Sequence, residues 1–569
     1  MYLDYKIKIP TDSPGITSKK IKGVTYIYYA YEHSYSAEKK YTVPKSTTIG
    51  KCAEDDPEMM YPNTNFLKFF PAEELPETKG EAYRSGCLRT GTFLVLRRII
   101  TEYHLDEMLS DIIGKESGLF LDLAVYTIIA ENNAGQYYPE YAFNHPLFTT
   151  GMRIYSDSKV SSFINSITKD QSLAFLDEWN RKQDNSQKIY VSYDSTNKNC
   201  QAGDIDFVEY GHPKEDTGAP IINYSIAYDR NNAKPLYYED YPGSIVDISQ
   251  LQYMLEKAGG YGYKNVGFIL DRGYFSKENI HYMDRCGYDF VIMMKGMKDL
   301  VKELVLEVKG SFEEDRRYSI RDYKVSGITV KKQLYPSDEK ERYFHIYYND
   351  RKKSSEHEAI ETKIDRMAEC LHKHEGTKYE INGGGFNKYF DLIYYNKGKK
   401  DEKFMYGRER PDVINEEIKL CGYFVIITSE EMTAAEALDL YKSRDVSEKL
   451  FRGDKSYMGN KSFRAHTSES VHAKIFIEFI ALIIRNKFYT CLKEQMNRAG
   501  KKNYMTVPAA IRELEKIELI RQSDCGYRMD YAVTATQKEI LKAFGMTASN
   551  VRTQAAAIND DLMAIEKDR

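Results

Sequence analysis

The chain has a single tryptophan, Trp179, and no C-x-x-C pair among its eight cysteines. Scattered cysteines exclude a disulfide scaffold and suit a reducing cytoplasm. Cys370, His372 and His374 lie close together, but on a charged helical stretch, which disfavours a structural zinc. Long apolar runs are lacking too. The longest, Ile475 to Ile484, contains Glu478, is too short to span a bilayer and reads as a buried helix. The opening residues MYLDYKIKIP have no apolar centre, which predicts no secretory signal. Excess positive charge is also missing. A net charge of -4 argues against a protein that simply coats DNA.

What is present points to a folded chain of several parts. Hydrophobic residues make up 42% and charged residues 29%, a globular rather than a disordered balance. The length of 569 residues suggests roughly three to five units. Tyrosine is abundant, 48 against 25 phenylalanines, which suits half-buried strands and also stacking on bases. Basic charge is concentrated locally. Between Tyr441 and His466 stand Lys442, Arg444, Lys449, Arg452, Lys455, Lys461 and Arg464 against Asp445, Glu448 and Asp454, a local balance of +4. Lys19, Lys20, Lys22, Lys39, Lys40 and Lys45 form a second group.

Residues 1–85 read as a small β-rich region: Gly23 to Tyr31 as a strand, and Lys39 to Gly50 as a strand-turn-strand return. Its lysines are either solvated charge or a DNA-end-binding surface. Residues 86–186 read as helical, for packing, DNA binding or dimerisation, with Phe93 to Leu105 and Leu119 to Ala130 apolar at helical spacing. At Lys188 the texture changes. KIYVSYD predicts a strand ending in Asp194; Ile221 to Tyr228 and Pro235 to Tyr238 predict a hairpin. Asp247 opens a helix that stops at Gly259-Gly260, and NVGFILDRG predicts a buried central strand ending in Asp271. Ser276 caps a short helix ending at Gly287, and Tyr288 to Met294 predicts another buried strand.

Three strands, helix, strand, helix, strand is the order of a ribonuclease-H-like α/β core, here residues 187–299. Such an order brings Asp194 and Asp271 to one sheet edge, where ligands of mixed α/β sheets gather. Residues 300–427 read as a β-rich insertion domain, residues 428–490 as the second part of the core, and residues 491–569 as a helical tail with a Thr536–Glu539 capping box. The loop Gly383-Gly384-Gly385 has no Lys-Ser/Thr after it and reads as a turn, not a nucleotide cradle.

Ala434 to Lys455 holds the most specific pattern. Tyr441, Arg444, Glu448 and Lys455 follow Y-x2-R-x3-E-x6-K. On one helix they would fall within an arc of about 60°, with Leu440, Val446, Leu450 and Phe451 on the other side. Thr433 and Glu436 supply a capping box at the start. Charge alone would make this a solvated surface helix; the ordered combination is rarer.

That signature, with two upstream strand-end aspartates, resembles the cut-and-paste DDE transposases of bacterial insertion sequences, in the insertion-sequence-four-like superfamily that carries a Tyr-Arg-Glu-Lys helix. The resemblance is clear over about residues 188–487 and weak in the flanks. It implies that Asp194, Asp271 and Glu448 are the catalytic carboxylates and hold two Mg2+ ions, with Mn2+ as a substitute. It implies that Arg444 and Lys455 clamp phosphates and that Tyr441 orients the DNA. Arg272, Lys461 and Arg464 are read as further DNA contacts. Many relatives place a tryptophan after the signature arginine, where a hairpin intermediate needs a stacked base. Asp445 stands there and cannot stack, so Tyr423 is the aromatic expected in that role. The implied partners are double-stranded DNA, both the inverted-repeat ends and the target, and a second copy of the chain in a homodimeric DNA complex. No membrane is implied, and the expected location is the bacterial cytoplasm, at the nucleoid when bound. A related nuclease without strand transfer, and a domesticated DNA-binding protein without catalysis, remain as alternative readings.

Overall fold

The computed structural model describes residues 2–567 apart from 4, 37–39, 72–82, 184–186, 201–204, 206, 212–218, 246, 296, 379–384, 400, 460–461, 502–504 and 522–525, and leaves aside the side chains of 247–249, 298, 447–448 and 566–567. Lys39, Lys461, Gly383 and Gly384 therefore lie outside the described residues, as does the side chain of Glu448.

The chain forms two units. One combines Met1–Leu88 with Leu519–Asp530, the other Arg89–Glu518 with Tyr531–Arg569. In the first unit, five antiparallel strands pair in the order Ile7–Lys8, Met59–Pro62, Tyr41–Cys52, Val24–Ser36, Ile16–Ile21. Ile27, Ile49, Met60 and Phe66 form its core. The return expected at Lys39 to Gly50 is instead one long strand, Tyr41–Cys52, with Pro44 opposite His33. Pro44 lies where the strand has a neighbour on one side only, the edge position at which a proline is tolerated.

In the second unit the longer strands of the central sheet are β1 (Ile189–Cys200), β2 (Ile221–Asp229), β3 (Lys234–Pro242), β4 (Val266–Leu270), β5 (Asp289–Met293), β6 (Val325–Gln333), β7 (Glu341–Tyr348) and β8 (Tyr423–Thr428). The helices that position the site are α1 (Asp247–Gly260), α2 (Lys277–Cys286), α3 (Ala434–Lys442), α4 (Asp445–Tyr457) and α5 (Ser468–Arg498). The sheet order is β6-β7-β8-β5-β4-β1-β2-β3, with β1, β4 and β5 mutually parallel and the other neighbours antiparallel. The stretch read as an insertion thus lends β6 and β7 to the central sheet. Its remaining hairpin, Phe390–Tyr395 with Lys403–Glu409, packs on Asp350–Lys373 and Pro411–Leu420 around Ile364, Leu371 and Phe404.

β4 is apolar at every position because both of its faces are covered. α2 begins on Ser276, whose hydroxyl accepts from Asn279 N, and ends at Gly287 with φ +70, as the sequence predicts. In the tail the capping box is Thr534 with Gln537, two residues before the expected pair, since glutamine serves at that position as well as glutamate. Glu539 instead accepts from Gln495 Nε2 at 2.7 Å.

α5 is the axis of the unit. From Ser470 to Ile484 it is almost wholly buried, apart from His472. It is enclosed by β3 and by the helices Gly91–Glu102, Ser117–Ala130, Asp157–Ser166, Lys169–Arg181 and Ala535–Ala543. None of the described helices is long and apolar enough to cross a membrane. Trp179 is buried in this unit, and its indole donates to Pro235 O at 2.9 Å.

Asp122, inside Ser117–Ala130, accepts from Phe148 N at 2.7 Å, Thr149 N at 3.1 Å and Tyr138 Oη at 3.4 Å. Burial nevertheless pushes its carboxyl up to about 7. An unfolded aspartate titrates near ~3.9, so between those values the folded state keeps a proton that the unfolded chain has released. The stabilisation from this group is therefore complete below about pH 4 and is lost as the pH rises to 7, by up to about 1.4 kcal/mol per unit. Asp122→Asn should remove that slope. Denaturation followed by the fluorescence of Trp179 at pH 5 and pH 7.5 checks it: an equal wild-type-to-variant gap at both values would refute the assignment.

Candidate active site

Two strands and two helices meet at one edge of the central sheet. β1 and β4 run in register from Ile189↔Val266 to Tyr193↔Leu270. The next residue of each is an aspartate, so Asp194 and Asp271 stand side by side where β4 stops. Asp271 turns the chain there: its carbonyl accepts from Tyr274 N at 3.0 Å, closing the turn Arg272–Tyr274. The Tyr274 hydroxyl then donates to Ser195 Oγ at 2.9 Å, tying the turn to the residue beside Asp194.

β1 does not end at Asp194, as its sequence suggests. It continues to Cys200, paired with β2 from Asp194↔Ile226 to Asn199↔Ile221. Its second half, STNKNC, reads as a loop because it is polar. Four of those polar residues, Ser195, Thr196, Asn197 and Lys198, are nevertheless buried.

The signature stretch is two helices, not one. α3 starts on the expected capping box, with Thr433 Oγ1 accepting from Glu436 N at 3.2 Å and Glu436 Oε2 accepting from Thr433 N at 2.8 Å. At Ser443 and Arg444 the chain tightens. Arg444 N donates to Tyr441 O and Val446 N to Ser443 O, each at 3.2 Å, bonds three residues apart instead of four. α4 then runs through Gly453, so Lys455 is helical and half-buried. Because of the break Tyr441 leaves the charged line. It is 5% exposed and packs with Ile269, Val291, Ile426 and Leu438. Above its ring, at 5.7 Å, sits the Arg444 guanidinium.

Arg444 holds the two carboxylates together. Its Nη1 lies 3.6 Å from Asp271 Oδ1 and 4.0 Å from Asp194 Oδ2. Glu448 stands one turn further along α4. Arg272 and Arg464 are exposed, the first directly after Asp271 and the second after the short strand Ser462–Phe463 that pairs with the end of β1. Tyr423 is placed differently from its expected role. It is buried, edge-on to Phe312, with its hydroxyl on Glu313, and offers no free face to a base.

A second charged group, missed in the sequence, fixes α4 at its other end. Lys198 is fully buried and its ammonium contacts Asp454 of α4 and Glu478 of α5, both also buried. Tyr224 and Phe463 face the same ammonium at 5.0 and 5.2 Å. Burial would lower the lysine, but the charges of Asp454 and Glu478 outweigh it and hold it up. Burial, with the charge of Asp454 beside it, pushes Glu478 well above the usual carboxylate range, which Lys198 only partly offsets. Two acids thus share one ammonium, and a proton kept on Glu478 lets the set stay neutral in its buried space. Asp194 and Lys198 share a face of β1, about 13 Å apart at ~3.3 Å per residue. Arg444 and Asp454 are about 15 Å apart along α4 at ~1.5 Å per residue. Strand and helix run in step, joined at both ends. Glu478 was the available signal, since a carboxylate inside an apolar helix calls for a buried cation.

The donor set of carboxylate oxygens at a sheet edge fits a hard divalent cation. No group of three metal-binding side chains occurs among the described residues. Asp194 and Asp271 would be two ligands, and Glu448 is the one carboxylate the sequence offers as a third.

A mixed α/β sheet thus sets Asp194, midway along β1, beside Asp271, just past the end of β4, with α4 facing both. Residues 187–484, more than half of the chain, match the family described as "Transposase DDE domain", and the chain belongs to that family. No curated protein matches it in sequence. Among solved structures it is similar to the piggyBac transposase synaptic complex with hairpin DNA, at 7% identity and a TM-score of 0.38, over 85% of this chain and 86% of that one. It is also similar to the Mos1 transposase paired-end complex with left transposon end, at 11% identity and a TM-score of 0.14, over 40% of this chain and 65% of that one. A pre-cleavage Mos1 transpososome matches at 12% identity and a TM-score of 0.13, over 40% and 65%. None of these likenesses is close enough to carry a residue's role across.

The buried group makes an asymmetric prediction. Lys198→Met leaves Asp454 buried without its cation and should cost about 3–5 kcal/mol. Glu478→Gln imitates the protonated acid and should cost less than about 1 kcal/mol. Denaturation curves read through Trp179 decide it, and equal losses in the two variants would show that Glu478 is ionised.

Proposed function

We propose that this transposase binds the ends of a mobile DNA element, cleaves them by metal-dependent phosphodiester hydrolysis, and joins the 3' ends to target DNA. The observation that carries this reading is the meeting of Asp194, Asp271 and Arg444 at one sheet edge. The strand order β3-β2-β1-β4-β5 supports a ribonuclease-H-like core around it.

Asp194, Asp271 and Glu448 would hold the metal, most simply a pair of Mg2+ ions. When bound, these activate a water or a 3' hydroxyl and stabilise the leaving oxygen. The rest falls to the chain. Arg444 serves as counterion to the two aspartates and would turn to a phosphate of the cut strand when DNA enters. Lys455 and the exposed Arg272 and Arg464 extend the positive surface along the backbone, and Lys461 adds to it by sequence. Tyr441 supports Arg444 from beneath instead of touching DNA. In the first unit, Lys19, Lys20, Lys22, Lys40 and Lys45 are exposed together with Tyr31, Tyr35 and Tyr41. That pairing of cations with aromatic faces suits recognition of the element's ends. Two copies of the chain would hold the two ends.

Asp194→Asn, Asp271→Asn and Glu448→Gln should each reduce cleavage about a hundredfold to a thousandfold, by analogy with the loss of other charge-stabilising groups, while changing end affinity little. Gel-shift and cleavage assays on the same preparation test this. Substantial cleavage by any one variant removes that residue from the metal set. Strand transfer into a plasmid separates a transposase acting on both strands from a nuclease that only cuts.

Arg444→Gln should separate metal binding from DNA handling. Without the competing guanidinium the aspartates should bind Mn2+ several-fold more tightly, since a unit charge about 4 Å away weighs on the order of 1–4 kcal/mol. Cleavage should fall all the same, and the salt slope of end binding should drop by about 0.9. Mn2+ titration followed by electron paramagnetic resonance reads the first effect; weaker Mn2+ binding would mean that Arg444 organises the carboxylates instead of competing for them.

A further inference from the structure

α4 has a second face. Lys449, Gly453 and Tyr457 lie broadly opposite Arg444 at 100° per residue. With Arg452, Arg485 and Tyr489 they line a cavity of about 270 Å³ between α4, α5 and the start of the helix Val507–Leu514. Three of the described lining residues are cations and none is an aspartate or glutamate.

Arg485 is one of the three cations lining this cavity. It has no hydrogen-bond or ion-pair partner among the described residues, and its guanidinium faces the Tyr457 ring at 5.5 Å. Burial presses it below the usual arginine range, and the charges of Asp454 and Glu131 offset that only in part. Asp454 is already held by Lys198. Gly453 keeps room for the guanidinium: a Cβ there would come within 2.5 Å of Arg485 Nη1. A glycine inside a helix costs about 1 kcal/mol against alanine, and here it admits a cation with no ion-pair partner among the described residues.

We propose that this cavity is a second DNA subsite, which takes one backbone phosphate on Arg485, with Lys449 and Arg452 at its mouth and the sugar and base against Tyr457 and Tyr489. The inference rests on the reading of DNA as substrate. A planar guanidinium fork matches phosphate oxygens, and tyrosine faces accept any base. The subsite lies across the width of α4 from the aspartates, about 10 Å or more. At ~3.4 Å per base pair, the phosphate it holds is at least about three base pairs from the cut. DNA would then grip α4 from both sides.

End duplexes that each carry one neutral methylphosphonate test this. Wild-type protein should lose about tenfold in affinity at phosphates near the cut, and again at one separate position. Arg485→Gln should bind unmodified ends about tenfold more weakly, lose about 0.9 in salt slope, and ignore the methylphosphonate at the separate position while still responding near the cut. Gly453→Ala, which keeps the charge but displaces the guanidinium, should show the same indifference, and this excludes a general loss of charge or fold as the cause. Lys455→Ala should keep the response. If both Arg485→Gln and Gly453→Ala retain the full wild-type profile, DNA does not enter the cavity. If wild-type protein binds no end duplex at all, the reading of DNA as substrate fails, and the subsite with it.

Discussion

The ammonium of Lys198 sits in a dry interior between a strand and two helices, and the site's geometry depends on it. Removing a charge from water is costly, so a buried lysine persists only where its partners are fixed. Here the partners are Asp454 on α4 and Glu478 on α5. An apolar trio could stabilise the same space equally well, but it would tolerate sliding. A charged trio sets one register between β1 and α4. Since side chains alternate along a strand, a slip of one residue would turn both Asp194 and Lys198 to the wrong face.

At the other end of α4 the balance is reversed. Two aspartates brought together at a sheet edge repel one another, and Arg444 offsets that repulsion at 3.6 and 4.0 Å. The contact is partly exposed and correspondingly soft. The helix is thus fixed firmly where no chemistry occurs and loosely where a metal and a DNA strand would enter. The tightened turn at Ser443 and Arg444 contributes to this, because it releases Arg444 from the apolar packing that holds α3.

α4 also divides two kinds of electrostatics. Towards the sheet edge it meets carboxylates; on its far side it meets Arg485, which has no ion-pair partner among the described residues. One helix therefore separates an acidic sheet edge from a basic cavity, as the proposed reaction of a metal and a polyanion would need. The net charge of -4 gives no hint of this, since the acids elsewhere in the chain outnumber the bases.

Much of the core was legible in the sequence. The apolar run before Asp271, the hairpin before α1, and the Ser276 and Gly287 boundaries of α2 all lie where periodicity and capping placed them, because those signals are local. The pairing of Asp194 with Asp271 followed from the order of elements alone. Three matters were decided only by tertiary packing. β1 runs on past Asp194, because its polar half pairs with β2 and Lys198 there meets carboxylates more than 200 residues away. Tyr441 turns into the core, because a local tightening of the helix shifts its phase, which no fixed 100° step can foresee. Lys198 and Asp454 carry no signal as isolated residues, and Glu478 signals only that a buried cation must face it. Their meaning depends on a shared dry space, and only the folded chain shows whether a charge has lost its water.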